Sequence, residues 1–446
     1  MTQKIDPSVP HPNFAEMARK YSLTLDAFHG EVTKYVPSIN GQSHGDWEAY
    51  VSRAAFFGVV QPTTTALVGS LTRKPFELSS GEFPSNPYGS ADVFLQYLFR
   101  DELLGARAAV LVDVGTDGKA TLINFDASQI INWCADYKMI QVSTFESDPD
   151  NKYGQILVTR YRELYLEDGL YHNRLWTKEG KGKNAKWVAE EMEPLLVNGK
   201  QLDFIPLFAM TPFDNSWDVY TPPLYTQATQ NIQHFKQSAD LAHYAHFMAL
   251  PTPVIAGDLA TYEQDYVPMM AHGSMTESGR PTAVQIQANF LLGSTKQPLH
   301  ITADSKASFL EVSGASFSML RDNLKDIEER MFLSGSRLLS IKKGVESVEA
   351  LQVRAGAESA ILETIVNSVE GALNKALSVV ALINKTPVQT IILNKDFTGA
   401  SMDPAQIKAL LDLYIASAIT LDQFQAALYD GEVVAQPGMI SSAVVA

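Results

Sequence analysis

The stretch ASFSMLRDNLKDIEERMFLSGSRLL, residues Ala315–Leu339, decides the fold because it carries a narrow apolar seam. Its large apolar side chains recur at steps of three, four, three and four, which is the spacing of one side of an α-helix. The seam residues are Phe317, Leu320, Leu324, Ile327 and Met331. Charged or small residues occupy the rest of the helix surface. A seam this narrow indicates a helix in a ring or bundle of helices, and it is too narrow for a helix inside a globular core.

Composition limits the function classes. The chain has 446 residues, 46% of them hydrophobic, which is enough for two or more domains with cores of their own. Its net charge of -15 disfavours tight, sequence-specific binding of nucleic acid, although DNA could still pass close by. The single cysteine, Cys134, excludes an internal disulfide and is expected to be buried. No signal peptide or membrane span is predicted, so we expect synthesis in a cytoplasm.

The first half of the chain changes from helical to β-type periodicity. Near the N-terminus, helical spacing predicts a helix through Val60, a break at Pro62 and a later helix that Ser90 caps. From about Arg107 to Met210 the period is two. This segment is therefore predicted to be β-rich and mostly antiparallel.

The second half contains three predicted long helices. The first runs from about Pro223 to Leu250, the second is Ala315–Leu339, and the third runs from about Ser347 to Ile383. A mixed excursion with short strands, Pro251 to about Ser308, separates the first two. A helical hairpin follows Asp403 and ends near Gly431. We therefore predict two long helices that flank a small β-containing excursion.

Motifs for chemistry are sparse. His234, His243 and His246 lie on one predicted helix. They could form a metal site, but the absence of a recognised metal-binding motif favours polar positions on an interface helix. The loop Lys178–Lys186 could touch a phosphate backbone, but an exposed hairpin tip is favoured. Thr420 and Gln423 form a capping box for the last helix. We expect no catalytic residues, no metal and no cofactor.

Four stretches, together with the terminal hairpin, carry a resemblance to a known family. They are EAYVSRAAFFGVVQPTTTALVGSLTRKPFEL, QHFKQSADLAHYAHFMALPTPVIAG, GASFSMLRDNLKDIEERMFLSGSRLL and ESVEALQVRAGAESAILETIVNSVEGALNKAL. In this order they resemble the portal proteins of tailed bacteriophages, the head-to-tail connectors, in a branch often left as a domain of unknown function.

The resemblance implies a portal-like α+β fold with a division of the chain. The implied parts are an N-terminal wing, helical and then β-rich (1–221), a first stem helix (222–250), a clip (251–308), a second stem helix (309–340), a segment with the tunnel loop, a long wing helix and a strand (341–402), and a short helical crown (403–446). The crown is shorter than the family pattern.

The resemblance also implies a function. The chain would form a ring, usually a dodecamer, at one capsid vertex, and DNA would pass through its channel during packaging and ejection. The apolar seam would contact neighbouring subunits, and Lys342, Lys343 and Arg337 would lie near the DNA. Partners would be other copies of the chain, the major capsid protein, the large terminase subunit, a tail adaptor and non-specifically held double-stranded DNA, with no membrane. The protein would assemble in the bacterial cytoplasm and end in the virion.

Two other functions stay open. The first is a minor capsid or tail structural protein that forms no channel. The second is a hydrolase with a site assembled from the β-rich half, for which His172, Asp113 and Glu163 are the best candidates.

Overall fold

The chain has an α+β architecture, as the sequence predicts. The computed structural model describes residues 5–38, 42–115, 117–148, 151–180, 185–193, 195–249, 252–256, 306–310, 314–336, 348–395, 397, 404–416 and 418–430. The chain divides into two compact units. Unit 1 combines Met1–Val36, Phe56–His234 and Ile327–Ala446, and unit 2 combines Pro37–Ala55 and Phe235–Asp326.

The α-helices of the described residues include three that exceed twenty residues. In chain order they are α1 (Pro12–His29), α2 (His44–Ser52), α3 (Val60–Leu71), α4 (Ala91–Gly105), α5 (Tyr225–Ala249), α6 (Gly314–Ser336), α7 (Val348–Asn384), α8 (Pro404–Ile415) and α9 (Leu421–Asp430). The three long helices α5, α6 and α7 match the three that the sequence predicts.

The strands form small sheets. They are β1 (Glu77–Leu78), β2 (Ala108–Val114), β3 (Ala120–Asp126), β4 (Ile130–Trp133), β5 (Tyr137–Ser147), β6 (Gln155–Glu167), β7 (Leu170–Glu179), β8 (Lys186–Glu191), β9 (Leu196–Val197), β10 (Lys200–Gln201), β11 (Leu207–Met210), β12 (Thr252–Ala256), β13 (Lys306–Leu310) and β14 (Ile391–Ile392). The larger sheets have the orders β11-β2-β3 and β4-β5-β6-β7-β8. Each ladder between these strands is antiparallel, which confirms the predicted pairing.

The three-stranded sheet lies at the centre of the core of unit 1. Residues Ala108 to Val112 of β2 are at most 1% exposed, although their periodicity predicts alternation. Successive strand residues point to opposite faces, so continuous burial means that both faces of β2 are covered. Helices α4 and α7 pack on this sheet and help to bury β2.

Helix α7 is a core helix over most of its length. One helix among the described residues, the Ala360–Asn384 part of α7, is long and apolar enough to cross a membrane. However, 61% of its most apolar window is buried inside the protein. Ile365, Val369 and Leu373 are fully buried. Such burial within the protein is typical of a helix at the centre of a folded domain.

Several local predictions were wrong. Helix α2 ends at Ser52, and Pro62 lies in the first turn of α3 and not at a break. Proline fits this turn because the N–H that it lacks would have no helical partner there. Ser90 precedes α4, but its side chain does not cap the helix. Cys134 follows β4 and is exposed, not buried.

The terminal hairpin forms as predicted, and its capping box is confirmed. The Thr420 N–H donates to Gln423 Oε1 (3.0 Å), and the Gln423 N–H donates to Thr420 Oγ1 (3.3 Å). Phe424 of α9 stacks on Tyr414 of α8 with ring centroids 5.0 Å apart. Phe424 and Leu428 are buried and hold the two helices together.

A buried carboxyl lies in the core of unit 1. Glu102 of α4 is fully buried, and no described residue hydrogen-bonds either of its carboxyl oxygens. Burial raises the pKa of Glu102 well above its usual range. The neighbouring Asp101 is also buried, but Arg100 and Asn124 donate hydrogen bonds to it. Burial therefore raises the pKa of Asp101 only to about 6.

Glu102→Gln should raise stability in a pH-dependent way. The pKa of Glu102 is higher in the folded chain than its value of 4.5 in the unfolded chain. Glu102 therefore costs no stability below pH 4.5, where it is protonated in both states, and it lowers the stability of the wild type increasingly as the pH rises toward the folded pKa. Glutamine keeps the shape without the ionisation. We expect its melting temperature to exceed that of the wild type by roughly 3–6 °C at pH 7.5 and by little at pH 4.5. Thermal unfolding at both pH values tests this, with the exposed Glu77→Gln as control. Equal effects of the two variants would contradict it.

Candidate functional site

The candidate site is the helix pair α5 and α6, which flanks the excursion. In unit 1, Gln227 Nε2 donates to the Met331 carbonyl (3.4 Å), and His234 Nε2 lies 3.1 Å from Glu328 Oε1. The residue number thus rises along α5 while it falls along α6, so the helices are antiparallel there. In unit 2, the rings of Tyr244 on α5 and Phe317 on α6 lie 6.3 Å apart.

A stripe of buried polar residues follows one side of α5 in unit 1. Gln227, Asn231 and His234 are 2%, 0% and 5% exposed and follow one another at steps of four and three. The sequence predicts apolar and small residues on this helix face, and Ile232, Phe235 and Ala239 are indeed buried beside the stripe. The polar stripe itself was not predicted. Its only sequence signal is amide and imidazole side chains at helical spacing.

The polar stripe connects α5 to the segment before α3. Asn231 Nδ2 donates to the Phe57 carbonyl (2.8 Å), and the Val59 N–H donates to Asn231 Oδ1 (3.3 Å). Gln227 Nε2 also donates to Thr63 Oγ1 (3.0 Å). Residues 54–59 are not helical, so their backbone groups lack the hydrogen bonds that a helix would form. The side chains of the stripe supply partners instead.

In unit 2, α5 is bonded to α2. The Tyr50 hydroxyl donates to Asp240 Oδ1 (2.5 Å), and burial and this bond raise the pKa of Tyr50 above its usual value. His243 lies edge-on to the Tyr50 ring (5.0 Å). Burial and then the charge of Arg53 lower the pKa of His243. The histidines of α5 thus have structural contacts, and the described residues contain no group of three potential metal ligands.

The predicted seam of α6 is covered within one chain over most of its length. Leu324, Ile327 and Met331 are 7%, 6% and 0% exposed. Phe317 and Leu320 are only half-buried. The side chains off the seam are exposed, and they are Asp322, Lys325, Asp326, Glu329 and Arg330. Any contact of the seam with a neighbouring copy would therefore use its N-terminal end.

The predicted tunnel-loop residues Lys342, Lys343 and Arg337 lie outside the described residues. The same holds for most of the predicted clip. The structure describes only its two ends, where β12 and β13 pair antiparallel from Thr252–Leu310 to Ala256–Lys306.

The three hydrolase candidates do not form one site. Asp113 is ion-paired to Arg162 of β6 (2.7 Å). Glu163, the next residue, accepts bonds from Arg174 Nε (2.8 Å) and Trp176 Nε1 (2.6 Å). Arg162 and Glu163 are successive residues of β6, so their side chains point to opposite faces of the five-stranded sheet. Arg162 therefore binds Asp113 on one side of this sheet, and Glu163 has its partners on the other. His172 stacks on Tyr165 (5.4 Å) on the Glu163 side.

Comparison with known proteins gives one family match and several similar structures. A family model described as a domain of unknown function, DUF4055, matches residues 223–382. This match spans the helix pair, the excursion and nearly all of α7. No curated protein sequence matches the chain.

The similar structures come from gene transfer agent (GTA) particles. The neck of an empty GTA particle with C6 symmetry contains a chain 12% identical to this one, with 85% of this chain and 92% of that chain covered and a TM-score of 0.41. A chain of the native GTA virion is 11% identical, covering 92% and 98% at a TM-score of 0.40. A chain of the native neck with C12 symmetry is also 11% identical, covering 96% of each at a TM-score of 0.38.

Asn231→Ala should destabilise the chain, because it leaves the Phe57 carbonyl and the Val59 N–H without the partners they have now. We expect the free energy of unfolding to fall by about 1–3 kcal/mol. Urea unfolding measures this, with Gln233→Ala, which removes an amide at an exposed position of the same helix, as the matched control. A loss below about 0.5 kcal/mol would mean that water replaces the amide.

Proposed function

We propose that the chain is a subunit of a portal-type ring, a connector between phage head and tail with a channel for double-stranded DNA. The observation that carries this proposal is the long antiparallel helix pair α5 and α6, joined through the excursion of residues 250–313. A helix pair with a segment inserted at one end matches the stem and clip that the sequence resemblance implies.

The surface of α6 supports this role. Its apolar seam is covered within the chain over most of its length. The exposed side chains off the seam are mostly charged, such as Lys325, Glu329 and Arg330, although Met319, Phe332 and Leu333 are exposed as well. A helix with such a face can line a water-filled channel, since its charged side chains stay hydrated.

The net charge fits a conduit better than a binding protein. In a ring, the charge of -15 per copy would be summed, and the field would repel the phosphates of duplex DNA from the wall. DNA would then slide without tight contacts. Lys342, Lys343 and Arg337, which the resemblance places beside the DNA, would supply a few weak and exchangeable contacts.

Assembly of the purified protein tests the proposal. We expect negative-stain images and native mass spectrometry to show closed rings, on the order of twelve copies, with an axial opening. A compact monomer at high protein concentration would refute the ring. A closed or filled assembly would instead favour the minor capsid or tail protein.

The channel role of the tunnel loop has its own test. Lys342→Glu with Lys343→Glu should leave ring assembly intact and change DNA packaging or retention, because both charges would face the duplex phosphates. Packaging assays with these rings measure this effect. The matched control is Lys119→Glu with Lys200→Glu, which changes the charge equally at exposed residues of the β-rich part. Unchanged packaging in the loop variant, or equal effects in both, would contradict the assignment.

A further inference from the structure

A small cavity lies in unit 1, where helix α1, helix α4 and the end of strand β3 meet. The centre of a water-sized sphere has about 10 Å³ to occupy inside it, and roughly 10–15 Å³ of such space is the least that holds one water. Three polar side chains border the cavity, and they are Tyr21 of α1, Asp101 of α4 and Asp126 of β3. The cavity therefore has the size and the kind of lining that suit one small polar molecule.

The hydroxyl of Tyr21 is the feature of this cavity that points to a ligand. Tyr21 is 1% exposed, and no described residue hydrogen-bonds its hydroxyl. Burial raises the pKa of Tyr21, and the charge of Arg107 offsets part of this rise. The hydroxyl is thus protonated at neutral pH and can donate one hydrogen bond. Because a buried hydroxyl without a partner destabilises a protein, a hydrogen-bond acceptor is expected beside it.

The two carboxyl groups of the cavity still have room for further donors. Asp101 accepts hydrogen bonds from Arg100 (2.6 Å) and Asn124 (3.0 Å), and Asp126 Oδ1 accepts one from Ser128 Oγ (2.6 Å). A carboxylate has about four acceptor positions, so both groups can accept another bond. Burial raises the pKa of Asp101 to about 6, and the charge of Asp126 adds to this rise. The two carboxyls are therefore close enough to repel each other.

The charges around the cavity select a neutral ligand. Arg100 is ion-paired to Asp101 (2.6 Å), and the buried Arg107 donates to the carbonyl of Ala127 (3.4 Å), which belongs to the cavity wall. Two guanidinium groups thus lie beside two carboxyls, so a cation would find no net negative charge and an anion would meet the carboxyls. The described residues also contain no group of three potential metal ligands. A molecule that both accepts and donates hydrogen bonds fits these surroundings, and water is the one of matching size.

We propose that the cavity binds one water, which accepts a hydrogen bond from the Tyr21 hydroxyl and donates to Asp101 and Asp126. Three hydrogen bonds are the usual number for a buried water. This water would join α1 to α4 and to the sheet β11-β2-β3, and it would bridge the two carboxyls. The inference goes beyond the proposed ring function and does not depend on it.

The variant Tyr21→Phe separates a bridged hydroxyl from an unpaired one, because phenylalanine keeps the ring. Loss of a bridged hydroxyl would remove a hydrogen bond from the buried water, so we expect the melting temperature to fall by about 2–4 °C. Removal of an unpaired hydroxyl would instead free the core of a buried polar group. An unchanged or raised melting temperature would therefore overturn the proposal.

The matched control is Tyr161→Phe. Tyr161 is 8% exposed and does not border the cavity. We expect this exchange to leave the melting temperature nearly unchanged. An equal fall in both variants would show a general effect of the exchange and would overturn the assignment to the cavity.

Crystal structures that resolve ordered water identify the occupant directly. We expect one density peak at hydrogen-bonding distance, about 2.6–3.0 Å, from Tyr21 Oη and from both carboxyls. The peak should weaken or vanish in Tyr21→Phe. The lack of a peak in the wild type, or a peak without contact to Tyr21, would overturn the proposal even if the variant is less stable.

Thermal unfolding with added Mg²⁺ or Ca²⁺ tests the alternative occupant. A ligand that binds the folded chain raises its melting temperature as the ligand concentration increases. We expect no such rise from either ion. A rise that Asp101→Asn abolishes would assign the cavity to a cation and overturn the water.

Discussion

The buried amide of Asn231 joins α5 to the segment before α3 and constrains where α5 lies in unit 1. It bonds a backbone carbonyl and a backbone N–H on either side of Gly58, in the non-helical segment before α3. Without it, the Phe57 carbonyl and the Val59 N–H, which lie in a partly exposed segment, would lose these hydrogen bonds, and water would have to replace them. Asn231 thereby fixes α5 against the N-terminal region, and α5 in turn holds α6.

Polar contacts between α5 and α6 restrict how these helices can slide. Gln227 bonds the Met331 carbonyl, Gln230 accepts from Ser334, and His234 contacts Glu328. A one-turn shift of ~5.4 Å would keep apolar side chains in apolar surroundings but would move these acceptors away. Buried polar groups often cost stability compared with apolar ones, and their best-attested role is to specify register.

Local sequence signals predicted the long helices well, but several short-range details less well. The long helix was predicted from about Ser347 to Ile383 and runs Val348–Asn384, because its helical period and its ends are encoded within the segment itself. The partners of the seam and of Asn231 could not be predicted, since Asn231 bonds a residue 174 positions away. The spacing of Leu324 and Met331 predicts a buried face, but it does not say which chain buries it.

These constraints bear on how identical copies could close into a ring. A ring closes only when each contact repeats at the same angle, so small errors in the position of each helix add up around the circle. A purely apolar helix pair tolerates slippage, whereas the contacts of Gln227, Gln230 and His234 with α6 make intermediate positions costly, because sliding would break these polar contacts. On this argument, the buried polar contacts of α5 would supply the geometric uniformity that the proposed ring requires.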